Sequence, residues 1–364
     1  MKTRLLLAAI LVAVFSVFVS CTKDDDNTNP VVENAIKGKY IINYGNYTGT
    51  KSSISLFDTE KDEMINNYYS TINDIDPVSN YQYAYSYEGK VYFMGNNVDK
   101  ITYVDNQTFV QTENGISNEI VKPRCCVANG NTLYVSCWGG DVWVDNTVSY
   151  IAKVDLTTMA VSKIALPGGP EGLVIANGKL YAALNYIDKV ASINLENDEV
   201  SLIDMPTMST YFIKDKDDNL YVSIVGYYGE VSDSLGLGYI NTTTDKLENV
   251  YPLSGISSSY GSQIAANSDL TKLYAVAASY NAIWELVGSV AEFDMNTKSF
   301  ASEMFVEGIV GINGVSVDAE TNNVMVLKTA GADANGSVSS YKKDGTFIKE
   351  YTVGIAPGML LTVE

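Results

Sequence analysis

The segment LYVSCWGGDVWVDN, residues 133–146, brings together side chains that could do chemistry. It holds a thiol at Cys137, two of the chain's three tryptophans at Trp138 and Trp143, and carboxylates at Asp141 and Asp145. Thiolates and carboxylates can ligate metals or act as nucleophiles, whereas exposed indole rings can hold an apolar ligand. A metal site, a catalytic thiol and a ligand-binding loop are therefore the alternatives that the remaining sequence has to separate.

The absence of histidine removes much of this chemistry, because the sequence contains none. Ser-His-Asp and Cys-His catalysis and His-ligated zinc are thereby excluded. Beyond Cys21 the thiols are Cys125, Cys126 and Cys137, an odd number without the spacing of a zinc site. A bridge between the neighbouring Cys125 and Cys126 would be strained on a strand. We therefore expect three buried cysteines that behave as small apolar residues.

Carboxylates are numerous but scattered through turn-like segments. The segment KDKDDNLY, residues 214–221, suggests calcium, yet it lacks the Asp-x-Asp-x-Asp-Gly spacing and is better interpreted as a solvated turn. No glycine-rich segment resembles a phosphate-binding loop. A glycosidase with two distant carboxylates stays open, because folding can bring such residues together. Binding without catalysis, without a metal and without a cofactor is the favoured interpretation.

The N-terminal residues predict the compartment. Residues 1–20 combine Lys2 and Arg4 with an uninterrupted apolar run, which is typical of a secretory signal peptide. The following Cys21 resembles the lipidated first residue of a mature lipoprotein. Residues 21–35 are polar and acidic, as expected of a flexible tether. The sequence therefore predicts a lipid anchor at Cys21, with the folded domain beginning at residue 36.

The charge balance excludes one class of partner. The formal net charge is −19, and removal of residues 1–20 leaves 22 basic against 43 acidic residues, a charge of −21. Nucleic acids and anionic membrane surfaces repel such a chain. No second apolar run is long enough to span a bilayer, so the lipid would be the membrane attachment.

Seven similar units follow one another from about residue 37 onwards. Each has an apolar strand with a large side chain, a loop, a second strand that ends in Asn or Asp, a tight turn and a third strand. A further short apolar segment precedes most units. The aligned large residues recur about 40 to about 53 positions apart: Tyr40, Tyr92, Tyr134, Tyr181, Tyr221, Tyr274 and Met325. Four strands at this period predict an all-β, seven-bladed β-propeller of four-stranded antiparallel blades over residues 36–364.

The two ends of the repeat array complement each other. The first unit lacks the strand that precedes the other units, whereas the final segment PGMLLTVE is such a strand without a unit behind it. We therefore expect Met359–Val363 to complete the N-terminal blade and to close the ring, which removes both free sheet edges.

One face of the predicted propeller carries the binding candidates. In up-and-down blades, the loops between the second and third strands share a face with the connections between blades. The turns on the opposite face are short and have the residues of tight turns, as in EGK, NGK, DLTT and KDG, so they offer little to bind with. The predicted ligand-binding residues from the first face are Tyr44, Asn46, Tyr47, Tyr81, Asn96, Asn97, Arg124, Trp138, Trp143, Tyr186, Tyr227, Tyr228, Tyr260, Tyr280 and Trp284. Packing between blades is the alternative role for each ring, but rings collected on one face and interleaved with amides favour a binding surface.

Several motifs carry a resemblance to a known family. The segments NYGNYTGTKSSISLFD, KPRCCV, SCWG and YTVGIAPG, together with the lipoprotein signal, resemble the BtuG-type surface lipoproteins of Bacteroidetes, which are YVTN-type or surface-layer-type propellers. The resemblance implies a lipid-anchored protein on the outer surface of the outer membrane. It also implies capture of cobalamin or related corrinoids as transported ligands and their transfer to a TonB-dependent outer-membrane transporter. A non-catalytic scaffold that binds glycans or proteins at the cell surface is the alternative.

Overall fold

The computed structural model describes residues 38–46, 52–226, 234–254, 264–283 and 285–363. These residues form seven sheets of antiparallel strands, which we number as blades 1 to 7 in chain order. The prediction of a seven-bladed propeller is confirmed. The predicted signal peptide, the tether and Cys21 lie outside the described residues.

The strands of the first three blades have the following bounds. Blade 1 contains β1 (Lys39–Asn43), β2 (Ser53–Asp58) and β3 (Glu63–Ile65), and is followed by the helix α1 (Tyr68–Asn73). Blade 2 contains β4 (Tyr81–Tyr87), β5 (Lys90–Gly95) and β6 (Lys100–Asp105), with a single 3₁₀ turn at Asn96–Val98. Blade 3 contains β7 (Pro123–Asn129), β8 (Thr132–Cys137), β9 (Tyr150–Asp155) and β10 (Val161–Ala165).

The remaining blades repeat this order. Blade 4 contains β11 (Pro170–Ala176), β12 (Lys179–Leu184), β13 (Lys189–Asn194) and β14 (Val200–Asp204). Blade 5 contains β15 (Met208–Lys214), β16 (Leu220–Val225), β17 (Gly236–Asn241) and β18 (Lys246–Pro252). Blade 6 contains β19 (Ile264–Ala266), β20 (Lys272–Tyr280), β21 (Leu286–Asp294), β22 (Ser299–Phe300) and β23 (Val306–Val310). Blade 7 contains β24 (Ile312–Val317), β25 (Val324–Lys328), β26 (Asn335–Tyr341) and β27 (Phe347–Ile355), and the last strand is β28 (Pro357–Thr362).

Burial along a blade explains its sequence pattern. The middle strands are apolar on both faces, as in KLYAAL of β12, because neighbouring blades cover both sides of each sheet. The outer strand β14 is mostly exposed. The seven aligned large residues are all buried, from Tyr40 to Met325. The buried Tyr181 hydroxyl has a partner, since it donates to Asp245 of blade 5 at 2.6 Å. The repeated large residue is thus a packing device between blades.

Ring closure follows the predicted arrangement. Strand β28 pairs antiparallel with β1, with Met359 opposite Ile42, so blade 1 has the order β28-β1-β2-β3. A buried ion pair adds to the closure, since the Lys39 ammonium lies 2.8 Å from the Asp318 carboxylate of blade 7. The first and last strands therefore share one sheet, and β28 covers the inner edge of β1.

Two blades depart from the expected four strands. In blade 2 the outermost position holds a single bridge between Ile101 and Ile116, because Gly115 turns the chain with a φ of 80° beside the Ile101 carbonyl. In blade 6 the outer edge is divided into β22 and β23, and the register shifts between Gly288 and Val290. Both departures lie at the outer rim, so the inner strands keep their regular positions.

Candidate functional site

A cavity of about 950 Å³ opens on the face predicted to bind. Two kinds of position supply much of its wall, the ends of second strands and the starts of innermost strands. Trp138 follows β8 and Thr329 follows β25, whereas Tyr81 begins β4 and Arg124 lies at the start of β7. Every blade contributes at least one residue to the wall, with Tyr211 coming from blade 5. The up-and-down order of the strands therefore gathers residues far apart in sequence around one axis.

The structure places ten of the fifteen predicted residues at this cavity. They are Tyr44, Asn46, Tyr81, Asn96, Asn97, Arg124, Trp138, Trp143, Tyr186 and Tyr280. The other five, Tyr47, Tyr227, Tyr228, Tyr260 and Trp284, lie outside the described residues. The role of these residues as ligand contacts stays a prediction.

The two tryptophans of blade 3 occupy different environments. Trp138 is only 9% exposed, whereas Trp143 is 53% exposed. Their rings meet edge to face with centroids 6.5 Å apart, and Tyr186 of blade 4 lies edge to face against Trp138 at 5.4 Å. Trp138 therefore has at least in part the packing role that was the alternative for each predicted ring.

The loop that carries these rings needs a glycine at one position. Gly139 adopts a φ of 74°, and a Cβ atom there would lie 2.2 Å from the Val148 carbonyl oxygen. Gly140 has no such contact, since the nearest atom to its Cβ position belongs to the Val148 side chain at 3.4 Å. The backbone at Gly139 thus sets the direction in which the chain leaves Trp138.

Arg124 is the charged centre of the cavity wall. Its Nε and Nη2 atoms donate to the two carboxylate oxygens of Glu171 at 2.9 and 2.7 Å, and both side chains are buried. Its guanidinium carbon lies 4.0 Å from the Trp138 ring centroid, which is a cation–π contact. Burial acts to lower the pKa of Arg124, but the charge and hydrogen bonds of Glu171, with smaller contributions from Tyr211 and Tyr44, together raise it, so the group stays charged.

Glu171 is a residue that the sequence analysis missed. Pro170 and Glu171 start β11 as Pro123 and Arg124 start β7, in the neighbouring blade. The available sequence signal was that two consecutive innermost strands each begin with proline followed by a charged residue, and that these two charges have opposite signs.

Some predicted residues have roles inside the protein. Tyr81 is 1% exposed, its ring stacks on Phe93 at 4.9 Å, and its hydroxyl pairs with Thr102 at 2.6 Å. The amide of Asn97 donates to Asn80, and the amide of Asn96 donates to the Pro123 carbonyl at 3.4 Å. These side chains position the loops around the cavity.

The cysteines lie in the interior, as expected from the sequence. Cys125, Cys126 and Cys137 are free and buried. Burial raises the pKa of Cys125 and of Cys137 to about 12, so both thiols are protonated at neutral pH.

In the described part of the chain, no group of three or more Cys, Asp or Glu side chains is arranged to hold a metal ion. Nor does any helix among the described residues have the length and apolar character to cross a membrane.

Solved structures resemble this fold at low sequence identity. A quinonprotein alcohol dehydrogenase-like protein from Bacteroides thetaiotaomicron is 16% identical, with a TM-score of 0.67 over 92% of this chain and 80% of the other. A protein from Lactobacillus plantarum is 13% identical, with a TM-score of 0.64 over 89% of this chain and 99% of the other. At such identities the likeness shows the propeller fold alone.

No curated protein matches the sequence significantly. One protein-family model does match, over residues 37–355, which is nearly all of the propeller. That family is described as Domain of unknown function (DUF5074), and this chain belongs to it.

Proposed function

We propose that this protein is a non-catalytic capture protein that binds a corrinoid such as cobalamin in the cavity on one face of its propeller. The observation that carries the proposal is a cavity of about 950 Å³ whose wall combines aromatic rings with amide side chains. This volume lies at the upper end of the roughly 300–1,000 Å³ typical of small-molecule sites, which favours a bulky ligand.

A corrinoid fits the chemistry of this wall. Its macrocycle presents apolar edges to Trp143 and Tyr186, while its many amide arms can pair with asparagine side chains and backbone groups. One ring contributes at most about 5 kcal/mol from about 200 Å² of buried area. Association costs roughly 4–15 kcal/mol, so several rings must act together, and a seven-bladed wall can supply them.

Capture agrees with the charged groups at the cavity better than turnover does. A glycosidase needs two carboxylates facing one bond, whereas Glu285 is the one carboxylate among the described lining residues. The sequence holds no histidine to replace the lower base of cobalamin on cobalt, so we propose that the ligand is bound with its own base retained.

The cellular setting is proposed from the resemblance to BtuG-type lipoproteins. Lipidation at Cys21 and the acidic tether would hold the propeller on the outer surface of the outer membrane. From there the protein would transfer its ligand to a TonB-dependent transporter. A transporter gene beside the gene for this chain would support this part of the proposal.

Co-elution tests the binding step directly. The purified protein is mixed with excess cyanocobalamin and passed through a sizing column, and absorbance is read at the wavelengths of protein and corrinoid. Corrinoid that elutes with the protein at a fixed stoichiometry supports the proposal. Colourless protein would refute it, and glycan or protein partners would then be the ligands to test.

A further inference from the structure

The charged residues at the cavity contrast with the charge of the whole chain. The formal net charge is −19, yet three cations line the cavity, at Lys122, Arg124 and Lys328, against the single carboxylate of Glu285 among the described residues. The carboxylates that pair with these cations are Asp141, Glu171 and Glu350, and none of the three is a lining residue. The cations therefore contact the cavity, whereas their partners do not.

Arg124 is held more rigidly than the other two cations. Its Nε and Nη2 atoms are fixed by Glu171, and its guanidinium plane lies against Trp138. The third nitrogen, Nη1, makes no hydrogen bond to any residue that the structure describes. A guanidinium fixed on one edge and open on the other is preorganised to bind an oxygen acceptor.

The same corner contains a second donor without an acceptor. The indole Nε1 of Trp138 is closed off from solvent and has no hydrogen-bond partner among the described residues. Buried polar groups are nearly always paired, so such a group indicates a site whose partner is supplied from elsewhere. Arg124 Nη1 and Trp138 Nε1 thus both lack a hydrogen-bond acceptor among the described residues.

We propose that Arg124 Nη1 is the donor of a subsite for an oxygen acceptor of the bound ligand, with the Trp138 ring supporting the guanidinium. Glu171 is the positioning residue, since it fixes the guanidinium without lining the cavity. This inference rests on the proposed function when it names the acceptor: either the phosphodiester of the cobalamin nucleotide arm or an amide carbonyl at the corrin edge. Both offer the same chemistry to a guanidinium.

The variants must leave the fold intact. Replacing Arg124 alone would leave Glu171 buried and unpaired, which destabilises the fold. The double variant Arg124→Gln with Glu171→Gln keeps two polar side chains that can still bond to each other. A matched control is Lys179→Gln with Asp245→Asn, which removes the half-buried ion pair between blades 4 and 5 on the opposite face. Circular dichroism melts establish that each variant is folded.

Affinity for cyanocobalamin and for cobinamide, which lacks the nucleotide arm, separates the two acceptors. Removal of a hydrogen bond from a charged donor lowers ligand affinity about 10- to 100-fold. A loss of this size in the Arg124/Glu171 variant for cyanocobalamin alone assigns the acceptor to the phosphodiester, and an equal loss for both ligands assigns it to a carbonyl. Unchanged affinity for both ligands overturns the subsite while leaving corrinoid capture intact.

A ligand-independent arm covers the case in which the wild-type protein binds no corrinoid. Inorganic phosphate is titrated at constant ionic strength while tryptophan fluorescence is recorded, since Trp138 lies against the Arg124 guanidinium. A saturable change in the wild type that the double variant lacks would support the subsite although the proposed ligand is wrong. A wild type that neither binds a corrinoid nor responds to phosphate overturns it.

Discussion

At the scale of single residues, Trp143 and Trp138 show how one loop can hold both an exposed ring and a buried ring. Trp143 is half exposed at the mouth of the cavity, with the Lys122 ammonium 4.6 Å from its ring centroid. Trp138 lies beneath it, between Arg124 and Tyr186. Their types and positions could be predicted from the sequence, but their different burial depends on neighbours from other strands and another blade.

Replacement of Trp143 should separate binding from folding. Trp143→Ala removes an exposed ring, so we expect the free energy of unfolding to change by under about 1 kcal/mol while corrinoid affinity falls at least tenfold. Phe347→Ala is the matched control, because Phe347 is 55% exposed on the outer strand of blade 7. Titration with cyanocobalamin and urea unfolding provide the two readouts. Equal affinities of the two variants would remove Trp143 from the site.

The buried thiols should make stability fall at alkaline pH. The pKa of Cys125 is raised to about 12 in the folded protein, against an ordinary value of 9.0. Above pH 9 the unfolded thiol loses its proton while the folded one keeps it, so unfolding becomes more favourable by up to about 1.4 kcal/mol per pH unit for each such group.

Urea unfolding of wild type and Cys125→Ala at pH 8 and pH 10 measures this effect. The wild type should lose more stability between the two pH values than the variant. Parallel losses would show that Cys125 does not contribute, and that other groups, such as the buried tyrosines with raised pKa values, account for the slope.

At the scale of elements, the loop after β8 depends on backbone geometry more than on side chains. Gly139→Ala would force a Cβ atom against the Val148 carbonyl at a positive φ, and we expect a loss of about 1–3 kcal/mol. Gly140→Ala in the next position meets only a side chain at 3.4 Å and should be tolerated. Thermal melting of the two variants provides the comparison. Similar melting temperatures would contradict the role given to Gly139.

The number of blades and the order of their inner strands followed from the repeat, whereas the details of the rim did not. The aligned large residues from Tyr40 to Met325 fix the second strand of each blade, since only a regular sheet buries them at this period. The single bridge at Ile116 and the divided edge of blade 6 escaped prediction, because short outer strands carry few buried residues and leave no periodic pattern. The Arg124–Glu171 pair was not predicted for another reason: its two residues are 47 positions apart and belong to neighbouring blades.

At the scale of the whole molecule, ring closure and the cavity depend on the same strand. Gly358 and Met359 of β28 line the cavity, and the strand also supplies the innermost position of blade 1. The closing strand thus links the stability of the ring to the shape of the site. Because seven blades build the cavity wall, we expect the proposed ligand to bind only when the ring is closed.

Removal of residues 357–364 tests this dependence. The truncated chain should expose the inner edge of β1 and unfold at a temperature well below the melting temperature of the full chain, without a cooperative transition. It should also lose corrinoid binding. Lys39→Gln with Asp318→Asn is the control, because it removes the buried ion pair between blades 1 and 7 but leaves β28 in place. That variant should retain binding even if its melting temperature falls. A truncated protein that melts within about 2 °C of the full chain, under roughly 1 kcal/mol for a domain of this size, would mean that β28 does not hold the ring together.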